Sequence, residues 1–194
     1  KHVPWIHNVR HTDMVCAIDD RRCLQLVRLF NEPAGREALV AHGVPAALVG
    51  QLDTLGISCI CNLLASIKAA KYYGMGRDDV IVTVLTDSMA LYGSRLEELR
   101  QEHGAYTERS AWRDIGRGLD AVTTDHLREL SHRDRRALHH LKYFTWVEQQ
   151  QRSVADLERL WDPAFWGETY AQVETWDGWI RAFNDRVAAM GSGA

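Results

Sequence analysis

Apolar positions in the first half of the chain alternate between strand-like and helical segments. Val80–Leu85 (VIVTVL) is a continuous run rich in β-branched residues, which is typical of a buried strand in a parallel sheet. Met14–Ile18 is a shorter apolar run that predicts a second strand. Residues 20–30 and Cys59–Tyr73 carry apolar side chains at helical spacing. The order of strand, helices, strand and helix predicts an α/β domain with a parallel sheet.

Helix boundaries follow from capping residues, prolines and glycines. Asp19 and Asp20 are suitable N-caps for a helix that runs to Phe30. Proline suits the first turn of a helix because its φ is fixed, and glycine suits the end because it tolerates positive φ. The remaining predicted boundaries are Pro33 to about His42 with Gly43 as the stop, Pro45 to about Asp53, Gly74 after the long helix, and Thr86-Asp87-Ser88 before a helix that ends at Arg100.

The chain changes character after Gly104. Residues 105–190 contain no convincing strand and are predicted to be helices with breaks near Gly116–Gly118, Ser131, Ser153, Asp162-Pro163 and Gly167. Six of the seven tryptophans lie in this part, and aromatic-rich helices more often serve packing or subunit contact than cofactor binding. We therefore predict two domains, an α/β core over residues 1–104 and a helical extension over residues 105–194, and expect a homo-oligomer.

Composition narrows the class of protein. The chain has 194 residues, is 46% hydrophobic and 25% charged, and has a formal net charge of -3. That balance gives no electrostatic case for nucleic acid or membrane binding, and the apolar runs are too short to span a bilayer. No charged segment followed by an apolar segment opens the chain, so we expect no signal peptide and a cytoplasmic location.

Cysteine and histidine spacing gives no metal site. The four cysteines form no C-x-x-C pair and no histidines follow at zinc-finger spacing, so free and mostly buried thiols are expected. The opening loop contains three histidines, which solvation explains better than metal binding: His2, His7 and His11. His139 and His140 are adjacent on a predicted helix and point about 100° apart, so they do not form an acid–base pair on one face.

The segment Leu55–Leu99 carries a family resemblance. It contains a Gly56-Ile57-Ser58 turn, an alanine-rich helix, the predicted strand Val80–Leu85 and the turn Thr86-Asp87-Ser88, with Tyr92 in the helix that follows. This order and spacing resemble the end of the catalytic core of cysteine synthase and related fold-type-II enzymes that use pyridoxal phosphate (PLP), in the tryptophan synthase beta superfamily. The resemblance implies the C-terminal half of such a core, followed by a helical extension.

The resemblance assigns a cofactor site to the two turns. In the family, the serine at the position of Ser58 hydrogen-bonds the pyridine nitrogen of PLP, and a hydroxyl there leaves that nitrogen unprotonated. Gly56, Asp87 and Ser88 would line the same pocket. Helix capping is an equal alternative for Ser58 and fully explains the positions of Asp87 and Ser88. Cys59 and Ile60 depart from the family pattern, which has a small Ser-Gly pair there.

Two parts of a PLP enzyme are missing from the sequence. None of the four lysines lies in the context in which the family carries its Schiff-base lysine, and no glycine-rich phosphate loop is present: Lys1, Lys68, Lys71 and Lys142 are the only lysines. We therefore predict no catalytic residue in this chain.

The sequence leaves three functions open, the third being an unrelated helical interaction domain, which a structure without a parallel sheet through Val80–Leu85 would indicate. The first is a portion of a PLP-dependent lyase or β-replacement enzyme that acts on a small cysteine- or serine-type amino acid. It would be inactive without an N-terminal half or partner chain that supplies the lysine. The alternative is a non-catalytic oligomerisation or regulatory subunit derived from that fold, which the tryptophan-rich extension favours.

Overall fold

The computed structural model describes residues 7–191 and is mostly helical. Within these residues the α-helices are α1 (Asp20–Asn31), α2 (Pro33–Ala41), α3 (Ala46–Val49), α4 (Ile57–Tyr73), α5 (Gly93–His103), α6 (Glu108–Ile115), α7 (His132–His140), α8 (Val154–Arg159), α9 (Pro163–Tyr170) and α10 (Val173–Gly191). Short 3-10 turns lie at Val9–His11, Leu52–Thr54 and Met89–Leu91, and π-helical turns lie at Gly116–Asp120 and Phe144–Gln149. Helix is therefore the dominant element on both sides of Gly104.

The sheet is much smaller than predicted. The strands of the described chain are β1 (Met14–Cys16) and β2 (Leu127–Glu129), which pair as a two-stranded antiparallel sheet. The prediction of an α/β core with a parallel sheet is therefore wrong, and so is the prediction that residues 105–190 lack a strand. The first strand was correctly placed, although it is shorter than expected and only half-buried.

Val80–Leu85 is not a strand. The segment has no regular secondary structure, and Val80 and Val82 are 80% and 88% exposed. A strand needs a neighbour to pair its backbone N–H and C=O groups. Within residues 7–191, β1 and β2 pair with each other, so no third strand is present to receive this run. The composition of the segment fits a strand, but residues 7–191 offer it no pairing strand, which is the outcome expected of an unrelated helical domain.

Helix α1 forms as its sequence predicts. The Asp19 carboxylate accepts a hydrogen bond from the Arg21 backbone N–H, which satisfies one of the free donors at the helix start. Cys23, Leu26 and Phe30 are buried along one face, at the spacing expected of a helix packed against a core. Leu26 is completely buried and marks the centre of that face.

Helices α1 and α2 meet at an unusually close backbone contact. A Cβ atom built on Gly35 would lie 2.1 Å from the Leu29 carbonyl oxygen, so only glycine permits this approach. Pro33 occupies the first turn of α2 as predicted, and Gly43 follows the helix with a φ of 103°. Both boundaries of α2 were therefore predictable from local sequence.

A buried carboxylate joins α5 to the end of α1. The Arg100 guanidinium donates two hydrogen bonds to the carboxylate of Glu32, from Nε at 3.0 Å and from Nη2 at 3.2 Å. Arg28 Nη2 also lies 3.4 Å from Glu32 Oε1 and donates at 2.7 Å to the Gly104 carbonyl. Since Glu32 is 7% exposed, this pairing offsets the cost of burying its charge.

Helix α4 begins two residues earlier than predicted. It starts at Ile57 rather than Cys59 and ends at Tyr73, followed by Gly74, whose φ of 62° is left-handed as expected of a glycine C-cap. Lys68 on this helix is buried, and its Nζ donates to the Asp125 carbonyl at 2.6 Å and to the Asp125 carboxylate at 3.0 Å. The early start places Ser58 inside the first turn of the helix.

The helices after α4 depart from prediction in detail. Ser88 caps only a 3-10 turn and makes no side-chain capping bond, and α5 begins later, at Gly93. The breaks predicted at Ser131, Ser153 and Asp162 are confirmed, because each side chain accepts a hydrogen bond from the helix that follows it. A predicted break at Gly167 is wrong, since that residue lies inside α9.

The chain divides into two compact units. The core unit comprises residues 16–128, and the tail unit comprises residues 7–15 together with 129–191. The core unit has a large apolar cluster that includes Leu26, Ile60, Leu64 and Ile115. The tail unit has a smaller cluster, whose buried members are Leu157, Leu160 and Trp166. The sequence-based division at Gly104 remains a prediction.

Helix α10 exposes its apolar residues. None of its side chains is buried, and Trp179, Phe183 and Met190 are 66%, 64% and 79% exposed. Within residues 7–191, no helix has both the length and the apolar character needed to cross a membrane.

Candidate functional site

The two turns that the sequence singled out come into contact. The Gly56 backbone N–H donates to the Asp87 carbonyl oxygen at 3.0 Å. A Cβ atom on residue 56 would lie 2.5 Å from Cγ and 2.6 Å from Oδ1 of the Asp87 carboxylate. Glycine is therefore required at position 56 for this carboxylate to approach the start of α4. Two of the four predicted cofactor-binding residues, Gly56 and Asp87, form the centre of the candidate site.

Asp87 accepts hydrogen bonds from three side chains. Cys59 Sγ lies 3.2 Å from Oδ1 and also 3.1 Å from the Asp87 carbonyl oxygen, and Thr86 Oγ1 donates to Oδ1 at 3.1 Å. The Tyr92 hydroxyl donates to Oδ2. The hydrogen bond from Tyr92, with those from Cys59 and Thr86, holds the pKa of Asp87 below its ordinary value. The Asp87 carboxylate is thus held in place, and both of its oxygens already accept hydrogen bonds from neighbouring side chains.

The other two predicted residues stand apart from this contact. Ser58 is exposed in the first turn of α4, and its hydroxyl has no hydrogen-bond partner among residues 7–191. The N-cap of α4 is Gly56, so the capping interpretation of Ser58 is wrong. Ser88 is half-buried, and its side chain does not cap the turn that follows. Ser58 therefore keeps a hydroxyl that is available to a ligand.

Cys59 and Tyr92 were missed as members of the site. The sequence marked Cys59 only as a departure from the family pattern and placed Tyr92 in the helix after the second turn without a role. Their shared partner is Asp87, which also raises the pKa of the Tyr92 hydroxyl through the hydrogen bond between them. Cys59 lies far from Asp87 in sequence, and Tyr92 is five residues beyond it, a spacing that indicates no regular contact. No local signal could have identified either.

No lysine of the described chain is available beside this site. Lys68 is held by Asp125, and Lys71 Nζ donates to the carbonyl oxygens of Asp120 and Val122 at 3.0 Å and 2.8 Å. Lys142 is fully buried in the tail unit, where its Nζ donates to the His7 carbonyl at 2.9 Å. Burial lowers the pKa of Lys142 to about 8.

PLP needs three supports from a protein: a partner for its ring nitrogen, a cradle for its phosphate and a lysine. The exposed hydroxyl of Ser58 fits the first of these. The sequence lacks the glycine-rich loop for the second, and the lysines of residues 7–191 are already hydrogen-bonded to other groups. The residues present therefore fit one side of the cofactor, and no catalytic step can be derived through it.

Metal binding has no support in the described residues. Across residues 7–191 no three or more histidine, cysteine, aspartate or glutamate side chains are grouped to hold a metal ion. His2, which the sequence grouped with His7 and His11, lies outside the described residues.

The chain was compared with protein-family models, with curated proteins and with solved structures. None of the three comparisons finds a match. The observations that bear on function are therefore the residues and their arrangement.

Proposed function

We propose that this chain is the C-terminal portion of a cytoplasmic PLP-dependent lyase or β-replacement enzyme. Its substrate would be a small amino acid of the cysteine or serine type. The observation that carries the proposal is the uncovered apolar run Val80–Leu85, which leads directly into the turn that contacts Gly56. By itself the chain would be inactive, because the lysine and the phosphate loop would belong to another polypeptide portion.

The exposure of Val80–Leu85 supports the proposal that a further polypeptide portion packs against this segment. Soluble proteins rarely leave several adjacent large apolar residues in water, and such patches mark places where other protein surfaces bind. Four of its five apolar residues are more than half exposed, namely Val80, Val82, Val84 and Leu85. Asn62 Nδ2 donates to the Val84 carbonyl at 3.2 Å, which ties the run to α4, the helix that carries Ser58. A partner portion that covered this run would therefore lie close to the candidate site.

Ser58 and Asp87 would have distinct roles in the completed site. PLP supplies an electron sink for bonds at the substrate α-carbon when it is bound. Ser58 would donate a hydrogen bond to the ring nitrogen and leave it unprotonated, because a hydroxyl is too weak an acid to transfer its proton. Asp87 would position Gly56 and the start of α4, since its oxygens already accept hydrogen bonds from Tyr92, Cys59 and Thr86.

The test is the visible absorption of the native polypeptide that contains this chain, measured with added PLP. A protein-bound Schiff base is expected to give a visible band, whereas residues 1–194 alone should stay colourless. Ser58→Ala should weaken PLP binding roughly three- to tenfold, the worth of one hydrogen bond. Ser66→Ala is the matched control, because Ser66 lies on the same helix and donates only to the Asn62 carbonyl. A colourless native polypeptide would refute the proposal.

A second candidate function is favoured by α10. Trp179, Phe183 and Val187 recur every four residues and are each more than half exposed, so they form an apolar stripe without cover in the described chain. This stripe suits a non-catalytic oligomerisation subunit. Light scattering, combined with the absorption test, distinguishes the two candidates. The second is favoured if the protein is a colourless oligomer and Phe183→Glu dissociates it. Arg181→Glu, on the opposite face of α10, is the control and should leave the oligomer intact.

A further inference from the structure

An arginine-rich cavity lies within the core unit. It has a volume of about 710 Å³ and is bordered by α1, α5, α6 and the π-helical turn after α6. Five arginines line it, together with the carboxylates of Glu102 and Asp114: Arg21, Arg28, Arg95, Arg113 and Arg117. With His103 neutral, five positive and two negative groups give the lining a net charge of +3, in a chain whose net charge is -3. Glu32 and Glu98 lie outside the lining and pair with Arg28 and Arg95, so the uncompensated positive charge belongs to Arg21 and Arg117.

The two carboxylates in the lining leave part of this charge uncompensated. Asp114 is 2% exposed and accepts hydrogen bonds from Arg113 Nε and from the Tyr106 hydroxyl, each at 2.9 Å. Glu102 lies 3.8 Å from Arg95, which has a shorter contact of 2.7 Å with Glu98. The side chains of Arg21 and Arg117 make no ion pair with any residue of the 7–191 range. These two guanidinium groups are free to meet an anion from outside.

Arg28 adds a buried donor that lacks an acceptor. The side chain is buried, its guanidinium lies 4.9 Å from the centre of the Tyr106 ring, and its Nη2 is used by the Gly104 carbonyl. Its Nε is also buried and has no hydrogen-bond partner in the described chain. Buried N–H groups without an acceptor are rare, because leaving one unpaired costs free energy. An anion in the cavity that Arg28 lines would provide such an acceptor.

The shape of the cavity indicates more than an inorganic ion. Its volume lies within the range of small-molecule pockets and far exceeds that of a single phosphate. Apolar side chains of Leu24 and Leu99 and the Tyr106 ring form part of the wall and suit an organic remainder. The Ser110 hydroxyl and the Gln25 amide add neutral hydrogen-bonding groups. Arginine clusters of this kind are typical of phosphate recognition, because the planar guanidinium can donate two parallel hydrogen bonds.

We propose that this cavity binds a small organic molecule that carries a phosphate group. Arg21 and Arg117 would contact the phosphate from the rim, and Arg28 would contribute from the buried wall. The cavity shares no residue with the contact between Gly56 and Asp87, so this binding activity is independent of the proposed PLP site.

Isothermal titration calorimetry on the full chain tests the proposal, with inorganic pyrophosphate, adenosine monophosphate and citrate as probes at matched ionic strength. Adenosine monophosphate is expected to bind, and the Arg21→Gln/Arg117→Gln double variant should weaken it at least tenfold. Because neither side chain has an ion-pair partner in the described chain, the fold should persist, which circular dichroism checks. Arg109→Gln is the matched control, since Arg109 is exposed on α6 and does not line the cavity.

Three outcomes would overturn the proposal. The first is the absence of binding by both phosphate probes. The second is citrate binding as tightly as the phosphate probes, which would indicate a site for carboxylates. The third is an equal loss of affinity in Arg109→Gln, which would indicate general charge attraction rather than binding at the cavity. Retained binding by adenosine monophosphate in Arg109→Gln, with loss in the double variant, supports it.

Discussion

Acidification from pH 7 to pH 4 is expected to destabilise the tail unit by about 3 kcal/mol through one residue, His139. The ring is 1% exposed, and its pKa is lowered to about 4, mainly by burial. In the unfolded chain a histidine has a pKa of about 6.5, so the unfolded state takes up a proton first as the pH falls. The stability that neutral His139 permits is therefore complete above pH 6.5 and is lost as the pH falls towards 4.

The surroundings of His139 explain why it stays neutral when folded. Neither ring nitrogen has a hydrogen-bond partner among the described residues, and the Trp161 ring lies 5.3 Å away. The positive charges of Lys142 and Arg136 lower the pKa further, as does His140, whereas Glu158 opposes them. Protonation would place an unpaired charge in this site, which is costly in a low-dielectric environment.

Urea unfolding followed by tryptophan fluorescence measures this effect at pH 7, 5 and 4. His139→Leu should flatten the dependence of the unfolding free energy on pH, because no group at that position then titrates. His140→Leu is the control, since the neighbouring ring is 57% exposed and is the smallest influence on the pKa of His139, so its removal should change the slope far less. The same slope in His139→Leu as in the unmodified chain would contradict the expectation.

Gly35→Ala is expected to destabilise the core unit by about 3 kcal/mol, near the upper end of what overpacking usually costs. The added methyl group would lie 2.1 Å from the Leu29 carbonyl oxygen and 2.9 Å from its Cα, both of them backbone atoms. A backbone atom has no rotamer change by which to withdraw, so α1 and α2 would have to separate. Leu29 is completely buried, and that movement would disturb the apolar cluster around it.

Gly93→Ala provides the matched comparison. Gly93 is the first residue of α5, and no atom lies within 4 Å of the position that its Cβ would occupy. Replacing a helical glycine by alanine at such a site stabilises by about 0.5–1 kcal/mol, because the unfolded chain loses freedom. Far-UV circular dichroism during urea unfolding measures both variants. Equal midpoints for the two would show that α1 and α2 can separate without cost.

The helices that sequence predicted well are those whose signals are local. The N-cap of α1 at Asp19, the proline start of α2 and the left-handed glycine after α4 each depend on residues within one turn. Such signals act before tertiary contacts form and are readable in a single sequence. The end of α3 and the start of α5 were predicted less accurately, and no capping side chain marks the start of either helix.

The predicted parallel sheet is wrong because a strand forms only where a neighbouring strand pairs with its backbone. Val80–Leu85 has the composition of a buried strand, but composition does not supply the neighbouring strand that satisfies its backbone groups. In contrast, β2 at Leu127–Glu129 has two charged residues among its three and was missed, although it pairs with β1. Pairing is a long-range property that neither segment reveals by itself.

The candidate site was predictable only in part for the same reason. A resemblance placed Gly56 and Asp87 in one pocket, and the fold brings their backbones into contact, but their role in cofactor binding stays a prediction. The roles of Cys59 and Tyr92 emerged only from the fold. No sequence motif predicts the arginine cavity. Arg21 and Arg117 are far apart in sequence and line one cavity only because α1 and α6 pack together.

The uncovered run at Val80–Leu85 also has a consequence for handling the isolated chain. Six consecutive residues of high β-propensity without charge or proline match the segments that stack into cross-β fibrils. Asp78 and Asp79 on one side and Asp87 on the other place negative charges next to the run, as gatekeeper residues do around such segments. Loss of these negative charges should therefore accelerate fibril growth of the isolated chain.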